Sequence, residues 1–184
     1  MDEAGEAART LLEKRDLPLY AVRLDAFRGR SLEESIALLA DREEIRDLIA
    51  TYALRAARGV PMADLFTDDG AFITHVPGET AREVRGREAL DRYYRELATA
   101  PSHPMPMIHN HLISVDGDQA RGICSVELRT TVGATSMIGS GYYDDSFRRE
   151  GGRWKFVERD VRFHHLVPLE EGWSKPAPCD ATPP

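Results

Sequence analysis

Apolar and polar positions follow two different spacings along the chain. In the first half, apolar residues recur at steps of three and four, and the clearest series is Ile45, Leu48, Ile49 and Tyr52. This spacing predicts a helix with one apolar face. From Met107 onward, strand-like runs are separated by short turns rich in Gly and Asp, which predicts hairpin-connected strands. Helices followed by such strands indicate an α+β domain with the helices against one face of an antiparallel sheet.

The boundaries of these elements are predicted by capping and turn residues. Ser31 with Glu34 and Asp41 with Glu44 are two start signals, so two helices with a break near Ala40 are predicted. Thr67 to Gly70 has the composition of a turn. The remaining predicted elements are a helical turn at 62–66, a strand at 71–76, a helix from Gly86 to Leu97, and strands at 108–115, 120–132, 137–149 and 154–167.

The length of 184 residues fits one domain. Residues 1–30 are predicted to form an N-terminal arm with a short helix at Ala4–Lys14, and residues 31–173 the domain. Residues 174–184 contain four prolines and almost no apolar residue, so a disordered tail is predicted.

Composition narrows the classes of partner. No apolar run approaches the roughly 20 residues of a membrane span, and the charged N-terminus lacks a signal-peptide pattern, so a cytoplasmic location is predicted. The net charge of −7 argues against nucleic acid and favours a small-molecule partner. Cys124 lies in a strand-like run and Cys179 in the tail, and no disulfide is indicated.

Several local strings resemble one known family. They are Arg46-Asp47-Leu48-Ile49 with Tyr52, Leu65 to Gly70, Gly86 to Leu90, His109-Asn110-His111 leading to Asp116 to Ala120, and Gly141 to Asp145 running on through Arg149, Gly152, Trp154, Phe156 and Arg159 to Gly172-Trp173. In this order the strings resemble SnoaL-like members of the nuclear-transport-factor-like superfamily. That superfamily includes polyketide cyclases, ketosteroid isomerases, scytalone dehydratase and limonene epoxide hydrolase.

The resemblance implies a cone-shaped domain in which a curved sheet wraps the first long helix around a pocket. It also implies a homodimer through the outer sheet face. The implied chemistry is proton transfer, dehydration, ring closure or epoxide opening without a metal or an organic cofactor. A Tyr on the first long helix often points its hydroxyl at the ligand in this family, and Tyr52 has that position. Many active relatives carry an Asp five residues later, where this chain has Ala57.

Histidine is the natural acid or base for such chemistry, because its pKa lies near neutrality. His109 and His111 are two residues apart on one predicted strand, so they are predicted to share a face. If that face lines the pocket, both point at the ligand. The alternatives are histidines bonded within the sheet or at a dimer surface. A metal pair is disfavoured because no third ligand has a suitable spacing.

Other polar and aromatic side chains are candidates for substrate contacts: Asn110, Glu127, Tyr143 and Trp154. Glu127 has Arg129 on the same strand face as a partner for an ion pair. Tyr143 and Asp145 alternate with Tyr142 and Asp144, so one Tyr and one Asp face inward in either register. Trp154 also fits a core position, and the Tyr52 hydroxyl has a packing role as its alternative.

Two functions remain open from the sequence. The first is a cofactor-independent dehydratase, isomerase or cyclase acting on a hydrophobic polycyclic, steroid-like or polyketide-like molecule. His109 or His111 would act as acid or base, and Tyr52 or Tyr143 as hydroxyl donor. The second is a catalytically silent small-molecule-binding or assembly module of the same fold, which the Ala57 position favours.

Overall fold

The computed structural model describes residues 26–102 and 104–172. The predicted Ala4–Lys14 helix, most of the N-terminal arm, Cys179 and the 174–184 tail lie outside the described residues. The elements are α1 (Leu32–Ala57), a 3-10 helix (Ala63–Leu65), β1 (Phe66–His75), β2 (Arg82–Arg85), α2 (Arg87–Thr99), β3 (Met105–Asp116), β4 (Gln119–Val132), β5 (Thr135–Glu150) and β6 (Arg153–Pro168). Among the described residues, no helix is both long and apolar enough to span a membrane.

Helix α1 starts at the predicted cap. Ser31 and Glu34 bond each other's backbone N–H reciprocally, as a capping box requires. The predicted break near Ala40 is wrong, because the helix is continuous. The second pair of acidic residues bonds the sheet instead of capping a helix: Asp41 accepts from the Trp154 indole at 3.3 Å, and Glu44 from the Trp154 backbone N–H at 3.0 Å.

The six strands form one sheet in the order β2-β1-β6-β5-β4-β3. All neighbours are antiparallel except β1 and β6, which run parallel. The predicted α+β fold, with helices against one face of a curved sheet, is confirmed. The sequence analysis missed β2, and residues 67–70, predicted as a turn, lie within β1 at an irregularity in its pairing with β6.

The core lies between the helices and one face of the sheet, which we call the inner face. Helix α1 contributes five apolar residues, Ile45, Leu48, Ile49, Tyr52 and Ala56. Alternate residues of β4, Cys124 and Val126 among them, point into the same core. Burying this much apolar surface supplies the main driving force for folding, and it also encloses the polar cluster described next.

Candidate functional site

A fully buried ion pair lies on the inner face. Nη1 of Arg159 donates to Oδ2 of Asp145 over 2.9 Å, and neither side chain has any solvent exposure. Oδ1 of Asp145 and both Nε and Nη2 of Arg159 have no hydrogen-bond partner. Buried polar groups are normally hydrogen-bonded. Three polar atoms without a partner in one ion pair therefore indicate a candidate functional site.

Aromatic rings surround the Arg159 guanidinium. Its central carbon lies 3.7 Å from the ring centre of Tyr143, 4.2 Å from that of Tyr52 and 4.7 Å from that of Phe156. These distances fit cation–π contacts, which offset part of the cost of burying the charge. The Tyr94 hydroxyl bonds the Tyr52 hydroxyl at 3.4 Å. Tyr52 lies on the apolar face of α1 as predicted, and Tyr143 is the tyrosine of β5 that faces inward, while the roles of both remain predictions.

Burial shifts the protonation equilibria of this cluster. It raises the pKa of Asp145 to about 7, because desolvation disfavours the carboxylate more than the nearby Arg159 charge favours it. Burial opposes the charge on Arg159, but Asp145 and the neighbouring tyrosines outweigh it and raise the pKa of the guanidinium. Burial also raises the pKa of Tyr143 to about 12. At neutral pH the site therefore holds a cation, protonated phenols and a partly protonated carboxyl.

Arg159 reaches the inner face because β6 contains an irregularity. Phe147 pairs with Phe156, whereas Ser146 pairs with Glu158, so β6 has one extra residue between them. Strict alternation from the buried Phe156 would have placed Arg159 outside. Sequence reasoning assigned no role to this residue. No signal in the alternation could have found it, since the bulge reverses the alternation.

A second bulge separates the two candidate histidines. His109 pairs with Ser125 and Leu112 pairs with Ile123, so β3 also has one extra residue. Asn110 lies there with a φ of 55°. The prediction that His109 and His111 share a face is wrong: His109 is exposed on the outer face, whereas His111 is half-buried on the inner side.

His111 lies within range of the Arg159 charge. Its Nε2 is buried without a hydrogen-bond partner. Burial lowers the pKa of His111, and the positive charges of Arg46 on α1 and Arg159 on β6 lower it further. The ring is therefore neutral at pH 7 and has a free nitrogen, which is the state that a general base requires.

The remaining candidate residues lie away from this cluster. The Asn110 amide is exposed and donates to the Ser125 hydroxyl at 3.2 Å. Glu127 is exposed on the outer face, and among the described residues it forms no ion pair with Arg129. Trp154 is buried near the start of β6, where it lines a groove of about 330 Å³ beside α1.

Two further expectations can be compared with the structure. Of the alternating pairs on β5, Tyr143 and Asp145 face inward, while Tyr142 and Asp144 face outward. Ala57 is exposed at the last residue of α1, so a carboxylate there would not enter the buried cluster of this chain.

In the described ranges, no group of three His, Cys, Asp or Glu side chains is arranged to hold a metal ion.

Comparisons with known proteins agree with this architecture. The family described as SnoaL-like domain matches residues 37–160. A variant of Rv3472 from Mycobacterium tuberculosis, a protein of unknown function, is 30% identical, with a TM-score of 0.60 over 70% of this chain and 79% of that chain. No curated protein matches the sequence.

Two further solved structures share the fold at lower identity. A candidate scytalone dehydratase from Novosphingobium aromaticivorans is 21% identical, with a TM-score of 0.64 over 73% of this chain and 91% of that chain. A type 2 hexachlorocyclohexane dehydrochlorinase is 20% identical, with a TM-score of 0.63 over 82% of this chain and 98% of that chain.

Proposed function

Because the chain belongs to the SnoaL-like domain family, we propose that it is a cofactor-independent acid/base enzyme that moves a proton on a small, largely apolar molecule. The observation that carries the proposal is the buried Arg159–Asp145 pair, which has polar atoms without hydrogen-bond partners and whose Arg159 charge acts on the neutral His111. Dehydration, isomerisation and ring closure all begin with such a transfer. A hydrophobic polycyclic, steroid-like or polyketide-like substrate fits the aromatic surroundings of Arg159.

The proposed roles follow from the two opposite pKa shifts. The lowered pKa of His111 keeps its imidazole neutral, so it accepts the proton. Arg159 stabilises the negative charge that develops on the substrate, in a site where water does not screen it. Asp145, with a pKa of about 7, holds Arg159 in place and returns a proton. A carboxyl that stays protonated and an imidazole that stays neutral, each because of its surroundings, are a common basis for assigning acid and base.

The names of two structural neighbours, a dehydratase and a dehydrochlorinase, describe eliminations that require removal of a proton. At their level of identity the likeness supports the fold alone. The proposal for this chain therefore depends on His111, Asp145 and Arg159.

The experiment is a proton-exchange assay, which needs no knowledge of the complete reaction. The full chain is incubated in D2O with a panel of ketones, hydroxylated aromatics and polyketide-like esters, and deuterium incorporation is followed by NMR. We expect exchange with at least one class and a bell-shaped pH profile. The rising limb would reflect a His111 pKa below 6.5, and the falling limb an Asp145 pKa of about 7.

Variants then assign the two limbs. His111→Gln should remove the rising limb and Asp145→Asn the falling one, with folding checked by circular dichroism. If Asp145→Asn does not fold, the pH profile of the unaltered chain still tests the role of Asp145. Catalysis that persists in His111→Gln with an unchanged profile would contradict the assignment of the base.

The second candidate function is a binding module without turnover. The complete burial of Asp145 and Arg159 favours it, because a substrate must displace surrounding side chains to reach them. Ligand binding without deuterium incorporation across the whole panel would support this function and exclude the enzyme.

A homodimer through the outer sheet face also remains part of the proposal, since family members commonly associate in that way. Sedimentation equilibrium of the full chain tests it. A mass twice the 20.6 kDa of one chain is expected, and a monomer at all concentrations would contradict it.

A further inference from the structure

Buried polar atoms without a hydrogen-bond partner occur in the Arg159 pair, in His111, on which the Arg159 charge acts, and in Arg42 on α1. They are Nε and Nη2 of Arg159, Nε of Arg42 and Nε2 of His111, against one carboxylate oxygen, Oδ1 of Asp145. Arginine nitrogens can only donate hydrogen bonds. A ligand that satisfies the arginine nitrogens must therefore bring acceptors.

Positive charge acts on His111 from two elements, α1 and β6. Arg42 and Arg46 are four residues apart on α1 and therefore share one flank of the helix. The charge of Arg46 acts on both Arg42 and His111 and lowers the pKa of each, after the larger effect of burial. Arg159 acts on His111 from β6. The charges of Arg46 on α1 and Arg159 on β6 thus act on the same histidine of β3.

Few carboxylates balance these cations. Glu43 pairs with Arg46 at 3.0 Å, but the Glu43 side chain is 67% exposed, so the pair contributes little. Asp145 balances Arg159 alone, and a pKa of about 7 leaves it partly protonated at neutral pH. A basic cluster on a chain of net charge −7 is a local feature and does not reflect overall composition.

We propose that the site binds an anionic ligand, an aromatic or otherwise apolar small molecule that carries a carboxylate. Its oxygens accept from Nε and Nη2 of Arg159, its apolar part packs on the rings of Tyr52 and Tyr143, and Arg42 and Arg46 attract it at the entrance. This inference names the substrate class of the proposed enzyme and rests on the same site. It is tested by binding alone.

The test compares acids with their neutral isosteres. Benzoate, cinnamate and 2-naphthoate are each paired with the corresponding amide, and the Kd for the full chain is measured by calorimetry with thermal shift as a second readout. We expect at least one acid to bind about 10-fold more tightly than its amide, the ratio expected when a charged group is hydrogen-bonded in a buried site. The preference should weaken as salt rises, because entrance charges are screened.

Variants distinguish binding at this site from nonspecific attraction of acids to surface arginines. Arg42→Gln and Arg46→Gln should each weaken the acid about 3-fold and leave the amide unchanged. The matched control is Arg92→Gln, an exposed arginine on α2 that should alter neither Kd. The inference is overturned if no acid in the panel is preferred over its amide. It is also overturned if all three variants behave alike.

The outcomes distinguish this inference from the proposed function. Acid-selective binding without deuterium exchange would remove the enzyme and keep the anion site. Exchange on neutral compounds, with no preference for acids, would keep the enzyme and remove the anion site.

Discussion

Asp145 and Arg159 are direct partners in the pairing of β5 with β6, and their 2.9 Å bond joins two side chains that solvent does not reach. Directly opposed residues on one sheet face are neighbours by construction. The sheet therefore sets the distance between the two charges, and the aromatic rings around Arg159 exclude water from them.

Removing one member of this pair should destabilise the fold strongly. Asp145→Ala removes the oxygen that accepts from Nη1 of Arg159 in either protonation state of the carboxyl, which we expect to lower the free energy of unfolding by about 3–5 kcal/mol. Denaturation in urea measures this loss. The matched control is Asp144→Ala on the outer face, where the bond to Arg121 is 3.4 Å long and partly exposed, and a loss below about 1 kcal/mol is expected. Equal losses would show that burial does not distinguish the two pairs.

The pH dependence of stability should report Asp145. Its folded-state pKa of about 7 lies above the ordinary value of 3.8, so the native state binds more protons than the unfolded state between these values. The contribution of Asp145 to stability is complete below pH 3.8 and is lost as pH rises through 7. The groups that face it are Arg159, Tyr143 and Cys124, while Asp144 and Asp160 add negative charge nearby.

NMR of 13C-labelled aspartate measures this equilibrium directly, with an expected midpoint near pH 7 for Asp145. The fall in stability between pH 4 and 7 should be smaller in Asp145→Asn than in the unaltered chain. An Asp145 midpoint at or below 4 would contradict the prediction, since it would mean that Arg159 outweighs burial.

The two histidines of β3 should differ in function. His111→Gln removes the unpartnered inner nitrogen, so we expect the proton-exchange rate to fall by about 100-fold or more. His109→Gln changes an exposed side chain on the outer face, and a rate within about 2-fold of the unaltered chain is expected. Unfolding in urea checks that both variants fold. A larger loss in His109→Gln would make His109 the candidate acid or base in place of His111.

Most helices and strands were predicted correctly from the sequence, but the side of the sheet on which residues of β3 and β6 lie was not. Capping at Ser31, the spacing of Ile45 to Tyr52 and the turns between the last four strands depend on local chemistry, which a sequence displays. Which side of a strand a residue occupies depends on register, and one extra residue reverses it. The bulge at Asn110 therefore places His109 on the outer face, contrary to the prediction. The bulge between Phe156 and Glu158 places Arg159 on the inner face, which the alternation of the sequence did not indicate.

The bulge at Asn110 should itself be sensitive to residue type. Its φ of 55° is tolerated by Asn and Gly but strained for a β-branched side chain. Asn110→Gly should be nearly neutral, whereas Asn110→Val should lower the free energy of unfolding by about 1–3 kcal/mol. If the valine variant relieves the strain by losing the bulge, His111 turns outward and the exchange rate falls. Equal stability of the two variants would mean that the backbone does not hold this conformation.

Gly141 determines how closely β5 approaches β6, the two strands that carry the ion pair. A Cβ atom there would overlap the carbonyl oxygen of Arg162 and lie 2.8 Å from Cα of Phe163. Both neighbours are backbone, so the strands must separate to admit a methyl group. We expect Gly141→Ala to lower the free energy of unfolding by about 3 kcal/mol or more.

The control for Gly141 is Gly122, whose added Cβ would meet the Phe147 ring at 3.0 Å. A side chain can move where a backbone cannot, so Gly122→Ala should cost about 1 kcal/mol. Because Asp145 and Arg159 lie on the two strands that Gly141→Ala forces apart, this variant should also shift the Asp145 NMR midpoint away from pH 7. Gly122 is the direct β4 partner of Asp145, so Gly122→Ala is a control for stability alone. If Gly141→Ala is as stable as Gly122→Ala and keeps the midpoint, then the close approach at Gly141 does not hold the two charges in register.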